Sequence, residues 1–326
     1  MAGKASVFLD LMICRIPGLR GSEKIELQKK FDKEDEFSIL SSRDIENIIG
    51  RELKNKSWTM EEIRAAAQKD ADAALKCGIR LVSFRENEYP PLIREIYDPP
   101  VILFYRGTLP DPEKPLVAVV GTRKPSSQAA GRAFKLGREL GEAGLPVVSG
   151  LALGIDAMAH RGNIEGGAST IAVLGSGLDT VYPVSNRDLA RRILETAGLI
   201  LSEYPPGTGP FKANFPARNR IISALARGTV IVEAPEKSGA LITAAFALEQ
   251  GRDLWVDRAG LSSPHGEGTA RLAADGAGLI DSAGDILTEW NLAGLAQKTP
   301  RSGALQNNTA GAGLASSLAE FLDIKV

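Results

Sequence analysis

The first 75 residues carry apolar side chains at helical spacing in short segments, over residues 7–14, 23–31 and 42–49. Side chains three or four positions apart share one face of a helix, so this spacing predicts several short helices that pack together. The sequence Pro-Gly-Leu-Arg-Gly at residues 17–21 predicts a tight turn between the first two helices. We therefore expect a small all-helical domain over residues 1–75.

After residue 76 the pattern changes to short apolar runs that alternate with amphipathic segments. Apolar runs without polar alternation are typical of strands that are buried on both faces of a sheet. A strand–helix unit that repeats about six times predicts an α/β protein with a Rossmann-like, doubly wound, mostly parallel sheet. We expect this core to extend over residues 76–293. Strands are predicted at residues 78–84, 101–105, 116–120, 146–149, 170–174, 199–202, 229–233 and 253–256, and helices at residues 128–142, 155–164, 186–195, 215–226 and 240–249.

Residues 294–326 are rich in Gly, Ala, Ser, Thr and Asn and contain few large apolar side chains. This composition is typical of a flexible linker. We expect a tail with at most one small helix, at residues 314–324, and no winged-helix domain.

The overall composition excludes several classes of protein. With 44% hydrophobic residues the chain can form a core, and its net charge of -1 argues against a polybasic, histone-like protein. Two cysteines are too few for a disulfide framework, and no run reaches the roughly 18 apolar residues of a membrane span. We therefore expect a cytoplasmic protein without membrane contacts. Residues 116–240 nevertheless contain 14 basic and 10 acidic side chains, which leaves room for a local positive groove.

The loops that follow the predicted strands are rich in glycine, and an open parallel sheet binds its ligands at these strand ends. Glycine lets a ligand approach the backbone, and the N-terminus of the next helix offers unpaired N–H groups to an anion. Any single loop of this kind is equally explained as a tight turn, whereas several on one sheet edge predict an anion site. The candidate residues in these loops are Gly121, Thr122, Arg123, Ser149, Gly150, Lys237, Ser238 and Gly239.

A basic segment with an aromatic residue begins the predicted helix at 215–226. It contributes Lys212, Phe215, Arg218, Asn219 and Arg220. Guanidinium groups bind phosphate in a bidentate manner, and an aromatic ring is a stacking surface for a nucleobase. We expect the basic and aromatic members to line one groove with Arg123 above the sheet. The alternative is an exposed helix start with solvated arginines and Phe215 in the core.

Residues suited to catalysis are sparse. The two histidines, His160 and His265, do not lie at metal-ligand spacing, and the fingerprints of phosphate-loop and hydrolase sites are absent. Asp156 and His160 are four positions apart on a predicted helix, where such a pair can orient a base but more often ties a loop to the helix. We expect the loop-tying role, and no catalytic residue, metal or cofactor.

Six sequence motifs occur in order along the chain: GTRKPS, SGLALGIDAMAH, GSGLDTVYP, SEYPPG, FPARNRIISAL and VIVEAPEKSGALITA. Together they resemble the DNA-processing protein A family of bacteria, also called DprA or Smf. The helical N-terminus resembles either a helix-hairpin-helix module, in which N–H groups of the turn contact phosphate, or the sterile-alpha-like first domain of that family. The resemblance implies a single-stranded DNA-binding protein that protects incoming DNA and loads the RecA recombinase during natural transformation. It further implies a homodimer that is not an enzyme.

The chain departs from the family pattern near the carboxy-terminal edge of the core. Residues 250–260 lack the proline that family members carry, and residues 268–273 lack an asparagine. The same region, residues 241–290, contains Trp255, Trp290 and several large aliphatic side chains. We expect these side chains to form either core or a dimer surface.

Two other functions share a Rossmann-like core. A phosphoribohydrolase-like enzyme that acts on free nucleotides is the main alternative, although residues 234–240 lack the glycine pair and the glutamate of such enzymes. A dinucleotide oxidoreductase is disfavoured because the segment from Gly175 to Thr180 lacks the third glycine of the fingerprint.

Overall fold

The structure, a computed structural model, describes residues 3–292 and residue 294. The helices are α1 (Gly3–Arg15), α2 (Gly21–Lys30), α3 (Glu34–Ser38), α4 (Ser42–Ile49), α5 (Met60–Lys76), α6 (Pro91–Arg94), α7 (Ser127–Glu142), α8 (Ile155–Glu165), α9 (Arg187–Glu195), α10 (Asn214–Leu225), α11 (Gly239–Glu249), α12 (Glu267–Ala274) and α13 (Ala283–Glu289). The strands are β1 (Arg80–Ser83), β2 (Ile102–Gly107), β3 (Val117–Val120), β4 (Val147–Ser149), β5 (Ile171–Leu174), β6 (Leu199–Ser202), β7 (Gly228–Ile231), β8 (Asp253–Asp257) and β9 (Gly278–Ile280). Within the described ranges, no helix is long and apolar enough to cross a membrane. Apart from residue 294, the predicted tail and its helix at 314–324 lie outside the described residues.

All of these strands join one sheet, in the order β1-β2-β6-β5-β4-β3-β7-β8-β9. Strands β3 to β9 run parallel to one another, whereas β2 pairs antiparallel with both β1 and β6. The predicted α/β fold with a mostly parallel, doubly wound sheet is confirmed.

The strand order reverses at β3. This strand pairs with β4 on one side and with β7 on the other, because the chain returns across the sheet after β6. A crevice opens beyond the carboxyl ends of the strands at such a switch point, and it is the usual ligand site of open parallel sheets.

Successive residues of β3 point to opposite faces of the sheet, as in any strand. Val117 and Val119 belong to a buried cluster with Leu136 of α7, and Ala118 and Val120 belong to a cluster that includes the buried side of α10. Both faces of the parallel sheet are therefore covered by helices.

Helices α1 to α5 form what we call the helical module, and it packs directly on the sheet. Leu9 of α1 shares one buried cluster with Ile102 of β2 and Ile200 of β6. Beside this cluster, Asp10 is fully buried and accepts a hydrogen bond of 3.1 Å from Nε of Arg85. Module and sheet thus have a common hydrophobic core.

The two tryptophans near the carboxy-terminal edge are buried. The rings of Trp255 and Trp290 meet edge to face with 5.5 Å between their centroids, and their indole nitrogens donate to Glu289 and Asp253 at 2.8 Å. These two side chains therefore belong to the core. On β9, Leu279 is 38% exposed.

Candidate nucleic-acid interface

A cleft of about 670 Å³ opens at the switch point of the sheet. We call it the switch-point cleft. Its walls are the exits of β3, β4 and β7 and the first turns of α10 and α11. Of the residues predicted from the sequence, it is lined by Gly121, Thr122, Arg123, Asp156, Lys212, Phe215, Arg218, Asn219, Lys237, Ser238 and Gly239.

Backbone hydrogen bonds hold the loop that carries Arg123. The N–H of Thr122 donates to the carbonyl of Glu233 at 2.8 Å. The buried carboxylate of Glu233 accepts the N–H of Ser126 at 2.9 Å, and Ser126 is the N-cap of α7. The exit of β3 is therefore fastened to the exit of β7 at both ends of the loop.

The loop that carries Lys212 is fastened to the exit of β5. The N–H of Gly207 donates to Oδ1 of Asp179 at 2.8 Å, and the N–H of Gly177 donates to the carbonyl of Thr208 at 2.8 Å. Lys212 follows this anchored segment and leads into α10. The sequence motifs GSGLDTVYP and SEYPPG thus anchor the loop that carries Lys212.

Three cations of the cleft are available to a ligand. Arg123, Lys212 and Lys237 are exposed, and none of them forms an ion pair in the part of the chain that the structure describes. Lys237 lies beside the N-terminus of α11, where the N-cap Ser238 accepts the N–H of Ala240 at 3.2 Å. Unpaired cations beside a helix N-terminus create a positive potential that attracts phosphate.

An aromatic wall faces these cations. The rings of Tyr182 and Phe215 are 5.6 Å apart between centroids and are inclined by 41°. The guanidinium of Arg123 lies 5.3 Å from the centroid of Phe215. The ring of Phe215 packs closely over Gly175, which has no Cβ atom. A Cβ atom at that position would lie 3.2 Å from Cδ1 of Phe215. Phe215 is half-buried, whereas Tyr182 keeps 41% of its surface exposed.

Arg218 lies on the floor of the cleft and is only 4% exposed. Its Nη1 donates to the carbonyls of Gly150, at 2.9 Å, and Val173. Burial lowers the pKa of Arg218 to about 10, and the nearby carboxylate of Asp156 opposes this shift. The side chain therefore stays charged at neutral pH. It lines the cleft as predicted, and its hydrogen bonds to two carbonyls cross-link the exits of β4 and β5.

The predicted pair on α8 is buried. Asp156 accepts the N–H groups of Gly150 at 3.0 Å and Ala152 at 3.4 Å, so it ties the β4 exit to its own helix. Burial raises the pKa of Asp156, and the charge of Arg218 opposes the rise. Nδ1 of His160 is 2.7 Å from Oγ1 of Thr170, and burial lowers the pKa of His160 to about 3. A neutral, enclosed imidazole of this kind has a structural role.

Three of the predicted DNA-contacting residues do not line the switch-point cleft, namely Ser149, Gly150 and Arg220. Gly150 lines a smaller adjoining pocket beside Arg218. Ser149 is fully buried, and its hydroxyl donates to the carbonyl of Val119 at 2.7 Å. Arg220 donates to both carboxylate oxygens of Glu203, at 2.7 and 2.6 Å. The prediction of a common groove was wrong for Arg220. Arg218 and Arg220 are two positions apart on α10, so their side chains point about 200° away from each other.

Among the residues of the cleft that were not predicted are two large, partly exposed side chains, Tyr182 and Ile242. Tyr182 stands between a predicted strand exit and Pro183, so its position in the motif GSGLDTVYP was the available signal. Ile242, which is 38% exposed in the first turn of α11, gives no signal because it lies in an apolar helix. Both widen the apolar part of the cleft beside Phe215.

The cleft lies within the part of the sequence that matches a known family. Residues 80–291 match the DNA recombination-mediator protein A family. The sequence is 36% identical over 282 residues to the DNA processing protein DprA of Bacillus subtilis, across 86% of this chain and 94% of that protein. It is 44% identical over 208 residues to DprA of Streptococcus pneumoniae, across 64% of this chain and 73% of that protein.

Two solved structures share the fold. The X-ray structure of DNA processing protein A from Streptococcus pneumoniae has a TM-score of 0.69 at 37% identity, across 88% of this chain and 95% of that chain. DNA processing protein A from Helicobacter pylori has a TM-score of 0.58 at 32% identity, across 65% of this chain and 95% of that chain. The latter structure concerns the single-stranded DNA binding mode of the Helicobacter pylori protein.

Proposed function

This chain belongs to the DNA recombination-mediator protein A family, and from that premise we propose that it binds single-stranded DNA in the switch-point cleft. The observation that carries the proposal is the meeting of three unpaired cations with an aromatic wall. Arg123, Lys212 and Lys237 supply positive charge, and Tyr182 and Phe215 supply stacking surface. This combination suits a strand whose phosphates and bases are both accessible.

The cations and the aromatic rings of the cleft contact different parts of the DNA strand. The phosphates contact the cations and the N-terminus of α11, which fixes the course of the strand without reading its sequence. The bases stack on the rings, and stacking accepts every base because each has a π-face. In a duplex the bases are already stacked and paired, so only the phosphate contacts remain. The protein therefore prefers single strands over duplex and is largely indifferent to sequence.

The cellular role is carried by the family resemblance. We propose that the protein protects incoming single-stranded DNA in the cytoplasm and transfers it to the RecA recombinase during natural transformation, acting as a homodimer. The contacts of Asp156 and His160 support a binding role for the cleft, since these groups hold the loop and the strand in place. The alternative remains an enzyme that acts on free nucleotides.

One experiment separates the two functions. Fluorescence anisotropy measures binding to a labelled oligonucleotide in competition with unlabelled single strand or unlabelled duplex, and a parallel assay follows hydrolysis of nucleoside monophosphates. We expect the unlabelled single strand to compete far better than the duplex, and no hydrolysis. Equal competition by both DNA forms, or release of base from a nucleotide, would contradict the proposal.

A further inference from the structure

A second cavity, of about 530 Å³, lies at the same edge of the sheet. We call it the module cavity because the helical module forms part of its wall. The rest of the wall is the exit of β6 at residues 203–205 and the segment at residues 97–104, which leads into β2. Arg220, which was predicted to line one groove with Arg123, lines this cavity instead.

Each carboxylate of the module cavity lies against an arginine of the protein. Asp70 accepts two hydrogen bonds from Arg15. Glu203 accepts two from Arg220, and the carboxylate of Asp98 lies 3.4 Å from Nε of the same guanidinium. The two guanidinium charges therefore offset two of the three negative charges, and Arg20 and Lys24 bring the formal charge of the cavity lining to +1.

Two basic side chains of the module cavity have no such partner. Arg20 is exposed and Lys24 is half-buried, and neither forms an ion pair within the described residues. Beside them lie two aromatic residues, Tyr97, which is 86% exposed, and the half-buried Tyr204. As in the switch-point cleft, basic side chains without an ion pair among the described residues lie next to solvent-accessible aromatic rings.

Two N–H groups of the α1–α2 turn already have acceptors within the protein. The N–H of Gly21 donates to Oδ1 of Asp98 at 2.8 Å, and the N–H of Arg20 donates to Glu23 at 2.8 Å. A phosphate beside these two residues is therefore contacted by side chains and not by their N–H groups.

The module cavity and the switch-point cleft are joined through α10 and the sheet edge. Helix α10 presents Phe215 to the cleft and Arg220 to the cavity. The exit of β6 is three strand spacings from β3, which is about 14 Å along the edge. We propose that a single DNA strand leaving the cleft continues along this edge into the module cavity, where Arg20 and Lys24 contact its phosphates and Tyr97 stacks on a base. The proposal rests on the function proposed for the cleft.

Strand length separates the two sites in an experiment. An oligothymidylate of about 4 nucleotides fills the cleft alone, and one of about 15 nucleotides reaches both sites. In the full chain, the double variant Arg20→Ala/Lys24→Ala should bind the long oligonucleotide on the order of tenfold more weakly than the wild type. Its salt slope for the long oligonucleotide should fall by about 1.4, because two phosphate contacts are lost. Its affinity for the short oligonucleotide should be unchanged.

The controls keep the proposal open to contradiction. Arg43→Ala/Lys54→Ala removes the same two charges from exposed positions of the helical module outside the cavity and should bind both lengths as the wild type does. Lys24→Ala and Tyr97→Ala are measured singly, because Arg20 directly precedes α2 and its loss can disturb the helix start. If all these variants bind the long oligonucleotide as tightly as the wild type, the second site is wrong and the cleft stands. If the wild type binds neither oligonucleotide, the function proposed for the cleft fails as well.

Discussion

Arg218 holds the exits of β4 and β5 together from beneath the cleft. Arg218→Ala removes the side-chain donor to the buried carbonyls of Gly150 and Val173 and the positive charge that opposes the rise in the pKa of Asp156. An unsatisfied buried polar group costs about 1–3 kcal/mol, so we expect the free energy of unfolding to fall by about 2–4 kcal/mol. Urea denaturation measures the loss.

Lys212→Ala is the matched comparison for Arg218→Ala. Lys212 is exposed and unpaired among the described residues, so its removal should change the free energy of unfolding by no more than about 0.5 kcal/mol. DNA binding should weaken, and the salt slope should fall by about 0.7. A variant at Arg218 that is as stable as the wild type but defective in binding would reverse this assignment of roles.

Tyr182 is the most open ring of the switch-point cleft. Tyr182→Ala should cost about 1–3 kcal/mol of binding free energy to single-stranded DNA, and Phe215→Ala should cost a similar amount. Tyr182→Phe keeps the ring and should bind as the wild type does in the same anisotropy titration. If the phenylalanine variant is as weak as the alanine variant, the hydroxyl and not the ring makes the contact.

His160 makes the stability depend on pH. In the folded protein burial lowers the pKa of His160 to about 3, whereas an unfolded histidine titrates near 6.5. Between these values the unfolded chain binds a proton that the folded chain does not, so stability falls as the pH drops from about 6.5 to about 3. The raised pKa of Asp156 acts in the opposite direction at pH values above the usual pKa of an aspartate.

We expect His160→Gln to remove up to about 1.4 kcal/mol per pH unit from this slope, measured by urea denaturation between pH 4 and 7. His265→Gln is the control, because it replaces an exposed histidine and should keep the slope of the wild type. A variant at His160 with the slope of the wild type would show that other groups cause the acid sensitivity.

At the scale of single residues, the sequence predicts which residue types bind DNA better than it predicts where each side chain points. Lys212 and Phe215 were predicted from residue type and line the cleft as expected. The error at Arg220 arose because residue type does not state which side of α10 a side chain occupies. Tyr182 was missed because its importance comes from its contact with Phe215, which is distant along the chain.

At the scale of elements, α7 and α8 pack unusually close together. A Cβ atom on Gly137 would clash with the carbonyl of Ala159, and one on Gly162 would clash with the carbonyl of Phe134. Asn163, which is fully buried, joins the two helices by donating to the carbonyl of Gly137 at 3.1 Å. Glycine at these positions is required by close approach.

Two glycines of α7 should therefore respond in opposite ways to substitution. Gly137→Ala should lower the free energy of unfolding by about 1–3 kcal/mol, because the helices are forced apart. Gly131→Ala, on the exposed side of the same helix, meets no atom within 4 Å and should raise it by about 0.5–1 kcal/mol. Thermal or urea denaturation of both variants tests the pair. Equal effects of the two substitutions would contradict the packing.

The predictability of the elements follows from their burial. Strands β3 to β6 are buried at every position, so their apolar runs stood out in the sequence. In β9 only Ile280 is buried, and neither it nor the neighbouring α12 and α13 were predicted. The direction of β2, which runs opposite to the other strands of the sheet, also escaped prediction, since strand direction depends on the partner strand.

At the scale of the whole molecule, the homodimer remains a prediction. Residues 241–290 expose less apolar surface for a dimer contact than expected. Trp255 and Trp290 are internal, so the large aliphatic side chains that residues 241–290 leave exposed for a two-fold contact include Leu279 on β9 and Leu248 on α11, which is 61% exposed. We expect a dimer in sedimentation velocity at micromolar protein, with Leu248→Glu/Leu279→Glu shifting it to monomer. A monomer at all concentrations, with or without oligonucleotide, would end the dimer prediction.

The shared core of helical module and sheet has a practical consequence for dissecting this protein. The family match begins at residue 80, which invites the design of a shortened gene that starts there. The hydrophobic cluster that contains Leu9 extends across this boundary, because Ile102 and Ile200 of the sheet are covered by the helical module. A polypeptide translated from residue 80 would present that apolar strip to its neighbours in every cell that makes it. Its loss of activity would then measure self-association and chaperone capture, and would say nothing about which residues hold DNA.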